Sequence, residues 1–161
     1  MKIGWFSCGV TSAVACKIAL EQYGKENVEL YYMEIASAHE DNKRFLAECE
    51  KWYGKTINIT RSEKYSDQFD VIEKTKYING VAGARCTLEL KKKVRYKIEE
   101  TINFEGQIFG FEFSKKEINR AIRFAQQHPQ AKPLFPLIER QMSKQQCAEL
   151  LLMNGIKLPT M

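Results

Sequence analysis

What the sequence lacks narrows it first. No apolar run approaches the ~20 residues that a membrane-spanning helix needs, so no membrane partner is expected. The start, Met1–Phe6, has one basic residue and only a short apolar stretch, which does not fit a secretory signal; a cytoplasmic location is expected. The cysteines (Cys8, Cys16, Cys49, Cys86, Cys147) are odd in number and none are spaced as C-x-x-C. That argues against a disulfide framework and against a zinc or iron–sulfur site built from this chain alone, and free thiols suit a reducing compartment. No repeat, low-complexity tract or linker interrupts the 161 residues, so a single domain over 1–161 is expected. A strong charge of one sign is also missing. The net charge of +5 suits anionic ligands without choosing between phosphate and nucleic acid.

What is present is an ordinary globular composition, 44% hydrophobic and 28% charged, arranged as alternating strand and helix signals. Lys2–Phe6 is a short apolar run, and Thr11–Tyr23 reads as a helix stopped at Gly24. Val28–Ile35 is rich in aromatic and β-branched residues and predicts a buried strand. Phe45, Cys49, Trp52 and Tyr53 recur at helical spacing up to Gly54, and Thr56–Thr60 predicts a third strand. A helix over Asp67–Ile78, a loop over Gly80–Gly83 and a charged helix over Thr87–Glu100 follow. Gln107–Phe113 predicts a fourth strand. Ser114 with Glu117, and Ser143 with Gln146, have the spacing of capping boxes that open two more helices; Ile118, Ala121, Ile122 and Ala125 form the apolar face of the first.

Strands separated by helices imply parallel pairing with right-handed crossovers. The expected class is α/β: a layered, mostly parallel, Rossmann-like sheet with helices on both faces. Ligands of such sheets bind at the carboxyl ends of the strands, where strand order reverses. The first such turn is Ser7-Cys8-Gly9-Val10-Thr11-Ser12. Small residues let its backbone curl, so that N–H groups and hydroxyls converge on one anion at the positive end of the next helix. It is neither a Walker loop nor G-x-G-x-x-G. The plainer alternative is a tight turn with a Ser/Thr cap, and spacing alone does not decide between the two.

The stretch is similar to the PP-loop, S-G-G-x-D-S or S-G-G-K-D-S, of adenine nucleotide α-hydrolase-like proteins. Cys8 stands in place of the first glycine and Thr11 where Asp is usual. Further segments resemble the phosphoadenosine-phosphosulfate (PAPS) reductase branch in the same order. Ile35–Asn42 resembles the polar turn that contacts nucleotide and substrate, with His39 a candidate proton donor. Arg85–Lys92 resembles R-x-C-(C/T)-x-x-x-K. There Cys86 begins a helix beside Arg85 and near Lys91, a setting that favours a thiolate and anion binding. Gly110 through Arg120 resembles G-x-R-x-x-E-(S/x)-x-x-R, with Glu112 where Arg is common and Glu117 and Arg120 matching. Small stand-alone relatives of this kind occur in bacteriophages.

The resemblance implies ATP or PAPS as ligand, with Mg2+ a candidate companion and no iron–sulfur cluster. It implies nucleotidyl or sulfur-transfer chemistry of a transferase or oxidoreductase, with a protein or nucleic acid as a candidate acceptor. Cys86 and His39 are the catalytic candidates. Ser7, Cys8, Gly9, Val10, Thr11, Ser12, Ile35, Arg85, Lys91, Gly110, Glu117 and Arg120 are the nucleotide-site candidates. Redox tails of the PAPS reductases have no counterpart before Met161, which keeps a non-catalytic nucleotide-binding module as an alternative. A nucleic-acid-binding protein using the Thr87–Glu100 helix is a second alternative, although Glu89, Glu99 and Glu100 interrupt its basic stripe.

Overall fold

The computed structural model describes residues 1–81 and 83–160, so one position of the Gly80–Gly83 loop, Ala82, lies outside the described residues. Strands β1 (Lys2–Phe6), β2 (Val28–Met33), β3 (Asn58–Thr60), β4 (Gly106–Ile108) and β5 (Pro133–Leu134) form one parallel sheet in the order β3-β2-β1-β4-β5. Gly4 is registered with Leu30 on one side and with Ile108 on the other. The chain therefore leaves β1 toward β2 and returns to the opposite side of β1 at β4. The carboxyl ends of β1 and β4 mark the point where the order reverses.

Helix α1 (Val10–Tyr23) follows β1 and is buried nearly all round, by Ala13, Val14, Ala15, Cys16, Ile18, Ala19 and Leu20. Small residues let it lie close to β1 and to α2 (Asp41–Tyr53), α7 (Pro136–Glu139) and α8 (Lys144–Met153). Gly4 is part of that fit, since a Cβ there would stand 2.6 Å from Leu30 Cδ2. Phe6, Phe45 and Tyr53 fill the space between sheet and helices, with Phe6 and Phe45 stacked at 6.0 Å. The buried Tyr53 hydroxyl donates to the Ala13 carbonyl at 2.7 Å, giving its polar end a partner. On the opposite face Ile3 and Trp5 are buried, and Trp5 Nε1 donates to buried Gln107 at 2.7 Å. Helices α1 and α2 stop where glycine allows positive φ, at Gly24 (88°) and Gly54 (60°).

The chain divides into two compact units. The first comprises 1–32, 40–58 and 104–161, and the second 33–39 and 59–103. In the second, α3 (Gln68–Thr75) is capped by Asp67, which accepts from Asp70 N–H. A short helix α4 (Arg85–Thr87), a π-helical turn (Leu88–Lys92) and α5 (Lys93–Thr101) follow one another. Tyr65, Val71 and Leu90 are its small core.

Several boundaries differ from the sequence expectation. The charged helix starts at Arg85, and α3 ends at Thr75 because Lys76 adopts φ 54°. The expected strand 107–113 ends at Ile108. Its neighbours explain this: β1 turns away at Ser7 and β5 ends at Leu134, so residues beyond Phe109 have no ladder partner. Phe109 and Phe111 instead pack with Phe124 and Phe135, Phe111 stacking on Phe135 at 5.4 Å. On α6 (Lys115–Gln127), Ala121 is buried but Ile122 is 51% exposed, and Phe124 joins the inward face instead. Ser143 and Gln146 form the full reciprocal capping box. At α6 the Ser114 hydroxyl accepts from Glu117 N–H at 3.3 Å, while Ser114 N–H donates to the Glu112 carbonyl.

Candidate functional site

The first turn after β1 is held by one hydroxyl. Ser12 Oγ accepts from Ser7 N–H at 3.0 Å and from Ser7 Oγ at 2.9 Å, and donates to the Gly9 carbonyl at 3.0 Å. Ser12 is 4% exposed, so its side chain is committed to shaping the turn. Between these anchors Cys8 takes φ 59°, the left-handed region that favours glycine. This is the position where the resembling loops carry glycine. Its thiol is buried, facing the Asn42 carbonyl at 3.7 Å and the Tyr32 hydroxyl, and burial pushes its pKa up from 9.0 to about 11.

Gly9 is extended, and its carbonyl accepts from Ala13 N–H at 3.0 Å, the first hydrogen bond back along α1. The N–H groups of Val10, Thr11 and Ser12 therefore lie at the open end of the helix, without a carbonyl one turn ahead. Together with the half-buried Thr11 they supply donors at the positive end of the helix dipole.

Gly110, just past β4, seals the other side. A Cβ there would stand 2.6 Å from Ser12 Cα, 2.7 Å from Ser12 N and 3.0 Å from Thr11 C. These are backbone atoms that cannot swing aside, so only glycine lets the two strand ends meet. Glu112 lies near the buried Cys147, whose pKa is raised first by burial and then by that carboxylate. Glu117 and Arg120 meet in the first turns of α6 at 3.5 Å, with the Arg120 guanidinium 4.8 Å over the Phe111 ring.

Ser7–Ser12, Gly110, Glu117 and Arg120 belong to the first unit; Ile35, His39, Arg85, Cys86 and Lys91 belong to the second. There Cys86 and Ile35 are brought together, both half-buried against Tyr65, Val71 and Leu90. Arg85 is engaged by Glu89, at 2.9 Å from both Nε and Nη2, and Lys93 binds the same carboxylate oxygen at 2.9 Å. Glu89 is 3% exposed. Burial raises its pKa, but Lys93 and Arg85 outweigh that and hold it below the usual carboxylate value. Lys91 and His39 are exposed.

The cations of the charged helix are largely spent on neighbours: Lys93 on Glu89, Arg95 on Glu99, Lys97 on Glu63. Two cavities of about 380 and 460 Å3 flank Arg61–Lys64 in this unit, and paired Lys93, Lys97 and Lys74 line them. Among the described residues, no group of three or more His, Cys, Asp or Glu side chains is placed to hold a metal ion. No helix among them is long and apolar enough to cross a membrane.

Sequence reasoning missed Tyr32, and placed Asn42 only in the polar turn after the second strand. Tyr32 and Asn42 enclose the Cys8 thiol, Asn42 Nδ2 donating to the Tyr32 hydroxyl at 3.1 Å. No local signal marks such a pairing, because it joins a strand end to a helix start.

The solved PAPS reductase of Candida auris, a phosphate complex, is similar to this chain with a TM-score of 0.65. The match covers 98% of this chain and 74% of that one at 9% sequence identity. The likeness establishes the fold: a Rossmann-like α/β fold of the PAPS reductase kind. No family model and no curated protein matches the sequence.

Proposed function

We propose that this chain binds an adenine nucleotide, ATP or PAPS, with its phosphates on the Ser7–Ser12 turn. The observation that carries the reading is the junction of that turn with Gly110 at the reversal of strand order. There the α1 N–H groups of Val10, Thr11 and Ser12 form the donor set, and Ser12 and Cys8 shape it. The Candida auris enzyme of the same fold was solved as a phosphate complex, which adds to the reading. Cytoplasmic sulfur metabolism is the setting such a ligand suits.

Nucleotidyl or sulfur transfer is the finer part of the proposal, with Cys86 as nucleophile, His39 as proton donor and Arg85 and Lys91 stabilising charge. Mg2+ would accompany ATP through the nucleotide's own phosphates. A second reading, a nucleotide-binding module without turnover, is favoured by two observations: Cys86 packs into an apolar cluster, and Arg85 is already held by Glu89. Isothermal titration with ATP and PAPS, followed by assays for pyrophosphate, AMP or adenosine bisphosphate release, separates the readings. Binding with product supports transfer, and binding without product supports the module. No binding at millimolar ligand contradicts both.

A further inference from the structure

The Cys8 backbone is the weak point of the turn. A non-glycine residue at φ 59° is strained and persists only where its surroundings fix it. The Cys8 side chain packs in the main core, and its polar partners there are the Asn42 carbonyl and the Tyr32 hydroxyl, to which Asn42 Nδ2 donates. Asn42 sits in the first turn of α2, so the start of α2 must itself be held.

It is not held by a cap of its own. Glu40, at the N-cap position of α2, has helical dihedrals and makes no side-chain capping bond. Instead the first turn is tied to the distant segment 157–160. Asp41 Oδ2 accepts from Thr160 N–H at 2.8 Å and from Arg44 Nη2 at 2.8 Å, while Arg44 Nε donates to Asp41 Oδ1. Arg44 also donates to the Lys157 carbonyl at 3.1 Å and the Leu158 carbonyl at 3.2 Å, and Glu48 braces its Nη1 at 2.7 Å. The Arg44 guanidinium and the Thr160 N–H keep the Asp41 carboxyl far below the usual carboxylate range. Buried Ile156 and half-buried Leu158 anchor the segment to the core.

We infer that residues 157–160 are an internal strap that positions the phosphate turn: by fixing Asp41 and Arg44 it immobilises the α2 start, and through Asn42 it holds Cys8 in its left-handed conformation. Asp41, Asn42 and Arg44 are thus positioning residues that need not touch ligand. The consequence for nucleotide affinity rests on the function proposed above; the mechanical coupling does not.

The test reads the coupling without ligand. Thr160→Pro removes both the Thr160 N–H and the Thr160 hydroxyl from Asp41, whereas Thr160→Ala removes the hydroxyl alone and keeps the N–H. Wild type, both Thr160 variants and Arg44→Gln are treated with N-ethylmaleimide at pH 8, and labelling of each cysteine is followed by peptide mass spectrometry. Cys8 labelling should rise about tenfold in Thr160→Pro and Arg44→Gln, as a fall of about 1.4 kcal/mol in local opening free energy requires. Cys16, Cys49 and Cys147 should stay slow, and Thr160→Ala, which keeps the N–H, should raise Cys8 labelling less than Thr160→Pro does. Equal acceleration of all buried thiols, or an unchanged Cys8 while exchange of the 157–160 amides speeds up, would overturn the strap. A parallel ATP titration should show weaker binding in Thr160→Pro. If wild type itself binds no ATP, the nucleotide reading fails and the Cys8 rates alone judge the strap.

Discussion

The turn at Ser7–Ser12 and the segment from Arg85 to Lys93, which includes the Arg85–Lys92 stretch singled out in the sequence, use their polar side chains in opposite ways. In the first, side chains bond inward to bend the backbone: Ser12 takes up Ser7 and Gly9, and the peptide N–H groups at the start of α1 are left as donors. In the second, the charged side chains satisfy one another, Arg85 and Lys93 on Glu89, and the thiol leans on an apolar cluster. A site built from backbone tolerates changes of side chain. Cys8 in place of glycine and Thr11 in place of Asp leave the donors where they are. A site built from side chains depends on which partner each one has.

The largest effect is expected for Gly110→Ala. Its methyl would collide with backbone atoms of Ser12 and Thr11, so stability should fall by about 3 kcal/mol in urea denaturation, with loss of nucleotide binding. Ser12→Ala should cost about 2 kcal/mol, since it strips a buried acceptor from Ser7 and a donor from Gly9. A Ser12→Ala protein as stable as wild type would contradict the inward-bonded turn.

The buried thiols give a pH test. Burial holds Cys8 and Cys147 at about 11 and Cys49 at about 12, and raises Cys16 as well, against an ordinary 9.0. Raised acid pKa values mean stability that is complete below pH 9 and is lost as pH rises toward the folded values. The urea midpoint should therefore decline between pH 9 and 11, and a flat profile would show these thiols to be solvated. The smallest effect is expected for Cys86→Ala, under about 1 kcal/mol, because the side chain is small and only half-buried. Unchanged nucleotide affinity in that variant sharpens the contrast; abolished turnover would move the second region into the chemistry.

Much of the fold was legible because local signals agreed. Gly24 and Gly54 end helices where positive φ requires them, Ser143 and Gln146 cap α8, and the strand–helix alternation gives the parallel sheet. The expected fourth strand failed because strand length depends on neighbours: its alternating phenylalanines found ring partners on α6 and before α7, not a ladder. At the candidate site, the position of the turn and of Gly110 could be read. The inward role of Ser12 could not, since a hydroxyl that binds phosphate and one that binds Gly9 look alike in a sequence. Nor could the engagement of Arg85, although Arg85, Glu89 and Lys93 at spacings of four were a readable hint of helical pairing. Asp41, Arg44 and Glu48, at spacings of three and four, were a similar hint.

Occupation of the backbone-built turn by an adenine nucleotide is the central proposal for this protein. The most direct measurement is an amide NMR titration of the isotope-labelled chain with ATP and with PAPS. Shifts concentrated at Val10, Thr11 and Ser12 and at Phe109–Phe111 are expected. An absence of shifts at millimolar nucleotide, or shifts confined to the Arg85–Lys93 segment, would contradict that proposal.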